Sequence, residues 1–105
     1  MNILVELKED LKRIDKTYED IKAFHLGLLN NEYEVDTLLK GTVFTEDLEP
    51  PLDIDYDEGF GSQTLFGTIL FTDNTWLSRG EYDGAEWWRY NKPPTTESVL
   101  YPFES

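Results

Sequence analysis

The chain has 105 residues, of which 39 % are hydrophobic and 14 % aromatic, and its formal net charge is −13. This length predicts a single domain, residues 1–105, and the aromatic content is typical of a folded protein rather than a disordered acidic tail. The charge argues against direct binding to nucleic acid or to anionic membranes, and it favours a basic partner. The absence of cysteine excludes disulfides and thiolate metal sites.

The N-terminal sequence predicts a soluble protein. Charged residues begin at Glu6, which is unlike a signal peptide, and no apolar run approaches the roughly 20 residues of a membrane span. We therefore expect a cytoplasmic protein that does not contact a membrane.

Residues 1–26 are predicted to form one long helix. Apolar residues recur at alternating spacings of three and four, which places them on one stripe. They are Leu4, Leu7, Leu11, Ile14, Tyr18, Ile21 and His25. This spacing fits either a helix packed on a sheet or a dimerising helix, and the width of the stripe favours the sheet. Gly27 is expected to end the helix, and His25, the only histidine, is interpreted as structural.

The segment after the helix fits two arrangements. Residues 32–36 alternate as in a strand, whereas Val35, Leu38 and Leu39 also suit a short second helix. A strand is predicted at 42–45 and a loop at 46–51, which contains two prolines. Residues 52–57 alternate strictly, which predicts an edge strand with one apolar and one acidic face.

Acidic residues are concentrated between residues 30 and 63, where ten carboxylates accompany one basic residue, Lys40. The spacing of Asp53, Asp55 and Asp57 resembles the start of a calcium loop, but the required glycine and the final glutamate are missing. We therefore predict no metal site. No catalytic or cofactor-binding motif is present either, so we expect neither an enzyme nor a cofactor.

Residues 64–91 are predicted to form a three-stranded antiparallel meander. Asp73-Asn74 and Asp83-Gly84 suit two-residue hairpin turns. Tight turns would place Leu70 opposite Leu77 in the first hairpin. In the second hairpin they would place Gly80 opposite Trp87 and Arg79 opposite Trp88 in a cation–π pair.

The predicted register gives the meander two apolar faces. One face would carry Leu65, Ile69, Phe71, Trp76, Tyr82 and Trp87, with Gly67 and Gly80 opposite each other beside Trp87. The other would carry Phe66, Leu70, Leu77, Trp88 and Tyr90. Because one helix covers only one face, the second would be covered by residues 99–103 of the chain itself or by another molecule. The sequence therefore predicts an α+β fold with the long helix on a four- to five-stranded antiparallel sheet.

About a third of the chain, GFGSQTLFGTILFTDNTWLSRGEYDGAEWW from residue 59 followed by Lys92-Pro93-Pro94, resembles a segment that recurs in small uncharacterised proteins of bacteriophages and prophages. The recurring pattern is GT-W-DGTW—RGEYDG-EWW. Asn74 stands where the pattern has glycine, and Leu70 where it has an aromatic residue. The resemblance implies a phage protein that acts in the host bacterial cell. Small acidic phage proteins are often inhibitors of host defence, including anti-CRISPR proteins.

Two functions follow from these features. The first is an inhibitor that binds a basic nucleic-acid-handling protein or complex, with carboxylates in place of phosphates and aromatic residues as the buried anchor. The predicted contact residues are Asp53, Asp55, Asp57, Glu58, Glu46, Asp47, Glu49, Trp88 and Tyr90. The second is a structural or assembly module that forms a homodimer through the helix stripe or through the exposed sheet face.

Overall fold

The computed structural model describes residues 1–56, 63–82 and 85–100, which form an α+β fold. An N-terminal helix packs on a five-stranded antiparallel sheet with strand order β2-β1-β3-β4-β5. The elements are α1 (Ile3–Arg13), β1 (Ile21–Leu29), β2 (Val35–Gly41), β3 (Leu65–Phe71), β4 (Trp76–Tyr82), β5 (Ala85–Asn91) and α2 (Thr96–Leu100). The predicted fold class is confirmed, whereas the predicted length of the first helix is not.

Helix α1 is only 11 residues long. It begins after Asn2, whose side-chain oxygen accepts a hydrogen bond from the backbone N–H of Val5 at 3.0 Å. It ends at Arg13, and Asp15 then adopts a left-handed backbone conformation with φ 58°, which a right-handed helix does not continue. The prediction of a helix through residue 26 was therefore wrong.

Strand β1 takes up the last six residues of the predicted helix and continues to Leu29. Its apolar residues Phe24, Leu26 and Leu28 are two residues apart, a strand spacing that the helical spacing of Ile21 and His25 concealed. The strand pairs with β2 on one side and with β3 on the other. This double pairing explains why the segment forms a strand instead of a helix. The pairing satisfies the backbone hydrogen bonds of a segment whose apolar side chains enter the core.

The chain leaves the sheet after β2. Residues 35–41 are a strand, which decides against the alternative of a second helix. The strand predicted at 42–45 was wrong, because these residues turn away from the sheet and bury Phe44. The ring of Phe44 lies 4.5 Å from that of Tyr18 and 5.0 Å from that of Phe24, measured between centroids. Aromatic packing against the core thus replaces strand pairing here.

The edge strand predicted from residue 52 was also wrong. The backbone here bonds to the N-terminus, with the N–H of Ile3 donating to the carbonyl of Ile54 at 3.0 Å and the N–H of Tyr56 donating to that of Met1 at 2.9 Å. The alternation is kept in part, because Leu52 and Tyr56 are buried, but Ile54 is 37 % exposed. Residue 57, the last residue of the predicted strand, lies outside the described residues.

The register of the second hairpin is confirmed, with Arg79 opposite Trp88 and Gly80 opposite Trp87. Residues 83 and 84 of its turn are not described. Gly80 lies beneath Trp87 as expected, because a Cβ atom at this position would be 2.7 Å from the indole ring. Gly67 is not opposite Gly80. Gly67 pairs with Leu26 of β1 and shares its face of the sheet, whereas Gly80 shares the other face with Trp87.

The first hairpin is one residue away from its predicted register, so that Leu70 pairs with Trp76 instead of Leu77. A backbone hydrogen bond of 2.9 Å closes a loop over residues 72–74. Asn74 has φ 67°, the left-handed conformation that ends a three-residue hairpin loop. The pair Asp73-Asn74 suits a two-residue turn, but a three-residue loop over residues 72–74 forms instead.

A shift of one residue exchanges the two faces of β3 relative to β4 and β5. The inner face, which packs against α1, carries Leu65, Ile69, Phe71, Leu77, Trp88 and Tyr90. The opposite face, here called the open face, carries Phe66, Leu70, Trp76, Tyr82 and Trp87. The prediction that Phe66 shares a face with Trp88 and Tyr90 was therefore wrong.

Candidate functional site

The exposed carboxylates predicted to meet a partner lie on an irregular stretch, residues 46–55, here called the acidic segment. It contains two short 3₁₀ turns, Glu46–Leu48 and Pro50–Leu52, before an extended stretch. The proline rings restrict φ, and the fully buried side chain of Leu52 anchors the second turn. The acidic segment is thus held in one shape. Its carboxylates are Glu46, Asp47, Glu49, Asp53 and Asp55.

Two of these carboxylates share one hydrogen-bond donor. The side-chain amide of Asn2 donates to Asp53 at 2.9 Å and to Asp55 at 3.3 Å, so the two carboxylates lie side by side. Both side chains are exposed, as are those of Glu46 and Asp47. Like charges at this spacing repel each other, and a cation that binds between them relieves the repulsion.

Glu49 is the only carboxylate of the acidic segment with an ion-pair partner in the described part of the chain. The ammonium of Lys8 lies 3.6 Å from it, and the hydroxyl of Tyr18 donates to it at 2.7 Å. Burial, reinforced by this hydrogen bond, raises the pKa of Tyr18, so the hydroxyl stays protonated and remains a donor. Glu49 therefore ties the acidic segment to the rest of the fold, whereas its other carboxylates form no ion pair within the described residues.

The remaining predicted contact residues have different positions. Asp57 and Glu58 lie outside the described residues. Trp88 is 3 % exposed and belongs to the core, and Tyr90 is half-buried on the same inner face. Trp88 is therefore closed to a partner, and Tyr90 is only partly accessible.

A buried charged cluster, which the sequence did not reveal, lies between helix α1 and the inner face of the sheet. Arg79 donates to Glu6 at 2.9 Å and to Glu86 at 3.2 Å, and its side chain is 1 % exposed. It also donates to the hydroxyl of Tyr56 at 3.0 Å, and that hydroxyl donates to Glu6 at 2.8 Å. The guanidinium lies 4.8 Å from the ring of Trp88, so the predicted cation–π pair exists, but inside the core.

Glu86 has a second role in this cluster. Its carboxylate accepts hydrogen bonds from the backbone N–H groups of Thr64 and Leu65, at 2.8 Å and 2.9 Å. These groups precede the point where β3 pairs with β4, between Thr68 and Ser78. The side chain thus satisfies backbone donors where strand pairing does not. Because both carboxylate oxygens of Glu86 accept hydrogen bonds, this side chain is suited to stabilising the fold.

Burial raises the pKa of Glu6, although the neighbouring Arg79 and the hydroxyl of Tyr56 act in the opposite direction. The folded protein therefore binds the proton of Glu6 more tightly than the unfolded chain does. It follows that the contribution of Glu6 to the free energy of unfolding increases as the pH falls from 7 through this raised pKa.

Replacing Glu6 by glutamine is expected to leave the protein at least as stable as the native form at pH 7. The amide oxygen still accepts from Arg79, and the cost of burying a carboxylate is removed. Urea unfolding at pH 7 and near pH 5 checks this, with the advantage of the variant shrinking at the lower pH. A variant that is clearly less stable at pH 7 would show that the ionised carboxylate is a net stabilising group.

Other potential sites are sparse in the described residues. His25 is exposed on β1, and its Nε2 lies 2.9 Å from the hydroxyl of Thr37. Within residues 1–56, 63–82 and 85–100, no group of three His, Asp or Glu side chains is placed to hold a metal ion, and no helix is long and apolar enough to cross a membrane. Comparisons with protein-family models, curated proteins and solved structures found no match.

Proposed function

We propose that this protein is a binding inhibitor that contacts a basic, nucleic-acid-handling protein through the acidic segment. The observation that most supports this function is the exposure of Glu46, Asp47, Asp53 and Asp55 on a segment that contains no lysine or arginine. From Gly41 to Ser78 the sequence contains no lysine or arginine. Carboxylates that form no ion pair within the described part of the protein attract an external cationic surface.

The shape of the acidic segment also favours binding. Its two 3₁₀ turns, the prolines and the buried Leu52 restrict the backbone before any partner arrives. Binding then requires little ordering of the segment, which leaves more of the electrostatic attraction as affinity. A fixed row of negative charges is also what a nucleic-acid-binding channel meets in a phosphate backbone.

The resemblance to the phage and prophage segment supports a more specific version of this proposal, in which the target belongs to bacterial defence, as for anti-CRISPR proteins. The contact residues of the proposal are those of the acidic segment, continued along the chain by Asp57 and Glu58. Trp88 and Tyr90 are no longer included, because Trp88 is buried in the core and Tyr90 packs against it.

The combined substitution Asp47→Asn, Asp53→Asn and Asp55→Asn is expected to weaken capture of nucleic-acid-binding proteins from a bacterial lysate by about tenfold or more. Capture by the native protein should also fall between about 0.05 M and about 0.5 M salt, because exposed charges are then screened. Added duplex DNA or RNA should displace the captured protein, since mimicry requires a shared binding site.

A matched control removes the same charge from elsewhere on the surface. Glu9→Gln, Glu19→Gln and Glu32→Gln change three exposed carboxylates outside the acidic segment. Capture should then stay within about twofold of the native level. Equal loss in the two variants would show that net charge alone attracts the captured proteins. Capture that nucleic acid does not displace would contradict the mimicry.

A further inference from the structure

The open face of the sheet differs in charge from the rest of this acidic protein. Each of its described, paired strand positions is known from the register, and none of them is Asp or Glu. The chain nevertheless has 22 acidic residues. The carboxylates are therefore excluded from this one face.

Large apolar side chains on the open face remain accessible. Tyr82 is 77 % exposed and Trp87 is 40 % exposed. The ring of Trp87 lies over Gly80, whose missing side chain makes room for it, and its outer surface is turned to solvent. Neither Phe66 nor Trp76 belongs to the core cluster, which lies on the opposite side of the sheet. An apolar face of this kind on a soluble protein indicates a contact surface.

The size of the open face is sufficient for a specific interface. Five strands about 4.8 Å apart, with seven residues of about 3.3 Å each, cover roughly 550 Å². Two copies packed through this face would bury roughly 1,100 Å² in total, which exceeds the lower threshold of roughly 1,000 Å² for a specific interface. Face-to-face packing of two sheets is a common way to bury such surfaces.

The charge distribution points to a second copy of the chain as the occupant. Two molecules of net charge −13 repel each other, and contact through a carboxylate-bearing surface would bring these charges closest together. Contact through the open face keeps the carboxylates on the outside of the pair. The cations of this face, Lys40 and Arg89, lie on the two edge strands, where they reach solvent at the rim.

The relief of the face is also self-complementary. A depression of about 190 Å³ lies on the β1 side and is lined by His25, Gly27, Val35, Phe66, Gly67 and Thr68. Tyr82 and Trp87 project on the β4–β5 side, near the same end of the sheet. A two-fold axis parallel to β3 places β4 and β5 of one copy over β1 and β2 of the other. Each pair of projecting rings then meets the depression of the other copy.

We propose that the open face is the interface of a homodimer in which two sheets pack face to face around this axis. The proposal is independent of the function of the acidic segment, which stays exposed in the dimer. It also predicts the opposite response to salt. Screening reduces the repulsion between two acidic copies, so salt should strengthen the dimer, whereas it should weaken capture of a basic partner.

Sedimentation equilibrium of the full chain over about 1–100 μM, at about 0.05 M and about 0.5 M salt, tests the proposal. The expected result is a dimer whose dissociation constant falls at high salt. Tyr82→Ser and Trp87→Ser should each raise this constant about tenfold or more, because projecting aromatic residues carry much of the energy of an interface. Val43→Ser, which removes a side chain that is 71 % exposed off the sheet, should leave it unchanged.

Arg89→Glu provides a variant that should strengthen the dimer. Arg89, Ser78, Thr68, His25 and Lys40 form one register row across all five strands. The proposed axis places Arg89 near the partner's Lys40, so a glutamate at this position creates an attraction that the native protein lacks. Damage to the fold cannot produce a tighter dimer, which makes this variant informative whatever the effect of the others.

Three results would overturn the proposal. The first is a monomer at about 100 μM in high salt. The second is a chain ending at residue 100 that dimerises through Tyr82 when the full chain does not, because the occupant would then be the chain's own last residues. The third is a dimer that Tyr82→Ser and Trp87→Ser leave unchanged.

Discussion

Arg79→Met is expected to lower the free energy of unfolding by about 3–5 kcal/mol, which is a large part of the stability of a domain of this size. The substitution removes the only cation that contacts Glu6 and Glu86 in the described structure, and both carboxylates are buried. Methionine fills much of the same space, so the loss comes from leaving buried charge unpaired and not from a cavity. Urea unfolding at neutral pH measures the change.

Arg13→Met is the matched control for this prediction. Arg13 also forms an ion pair, with Asp10, but its side chain is 59 % exposed. Exposed pairs contribute at most about 1 kcal/mol, so this variant should unfold near the native urea concentration. Similar losses from the two substitutions would mean that the burial of Arg79 has no special energetic role. A triple variant with Arg79→Met, Glu6→Gln and Glu86→Gln should recover part of the loss, because its buried groups are uncharged.

Phe71→Ala should cost about 3–5 kcal/mol, whereas Phe66→Ala should cost less than about 1 kcal/mol. The two residues are on the same strand and have the same side chain, but they lie on opposite faces. Phe71 is fully buried against the core, and Phe66 is on the open face. Thermal or urea unfolding at a protein concentration below about 1 μM makes the comparison without a contribution from dimerisation.

This pair of substitutions also tests the register of the first hairpin. In the two-residue turn expected from Asp73-Asn74, Phe71 and Phe66 still lie on opposite faces, but Leu77 and Trp88 share the face of Phe66. In the structure Leu77 and Trp88 share the face of Phe71, and all three are in the core. Comparable destabilisation by Phe71→Ala and Phe66→Ala would show that both faces are equally covered, which the open face does not allow.

The location of strand β1 shows why local spacing misleads. Residues 1–26 satisfied a helical repeat, and α1 formed where Asn2 caps the first turn. Beyond Asp15 the same residues also satisfied the spacing of a strand. The choice was made by pairing with β2 and β3, whose backbone hydrogen bonds are non-local and do not enter a local repeat.

The acidic segment shows how much of the candidate site is local. Exposure of Asp53 and Asp55 followed from alternation with Leu52 and Tyr56, and this alternation persists in part although the strand does not form. The sequence contained no sign that Tyr56 would meet Glu6 and Arg79. Glu6 and Arg79 are 73 positions apart, and neither has a motif that marks it as a core residue.

The sequence by itself determined the α+β class, the register of the second hairpin around Asp83-Gly84 and the acidic character of residues 46–55. These features depend on composition, on alternation and on the chemistry of neighbouring residues, all of which act over a few positions. Only the tertiary structure decided the length of α1, the three-residue loop that ends at Asn74 and the buried partners of Arg79. A shift of one residue at that loop moves every side chain of a strand to the opposite face of the sheet. The tertiary structure therefore also decided which aromatic side chains stay exposed on the open face.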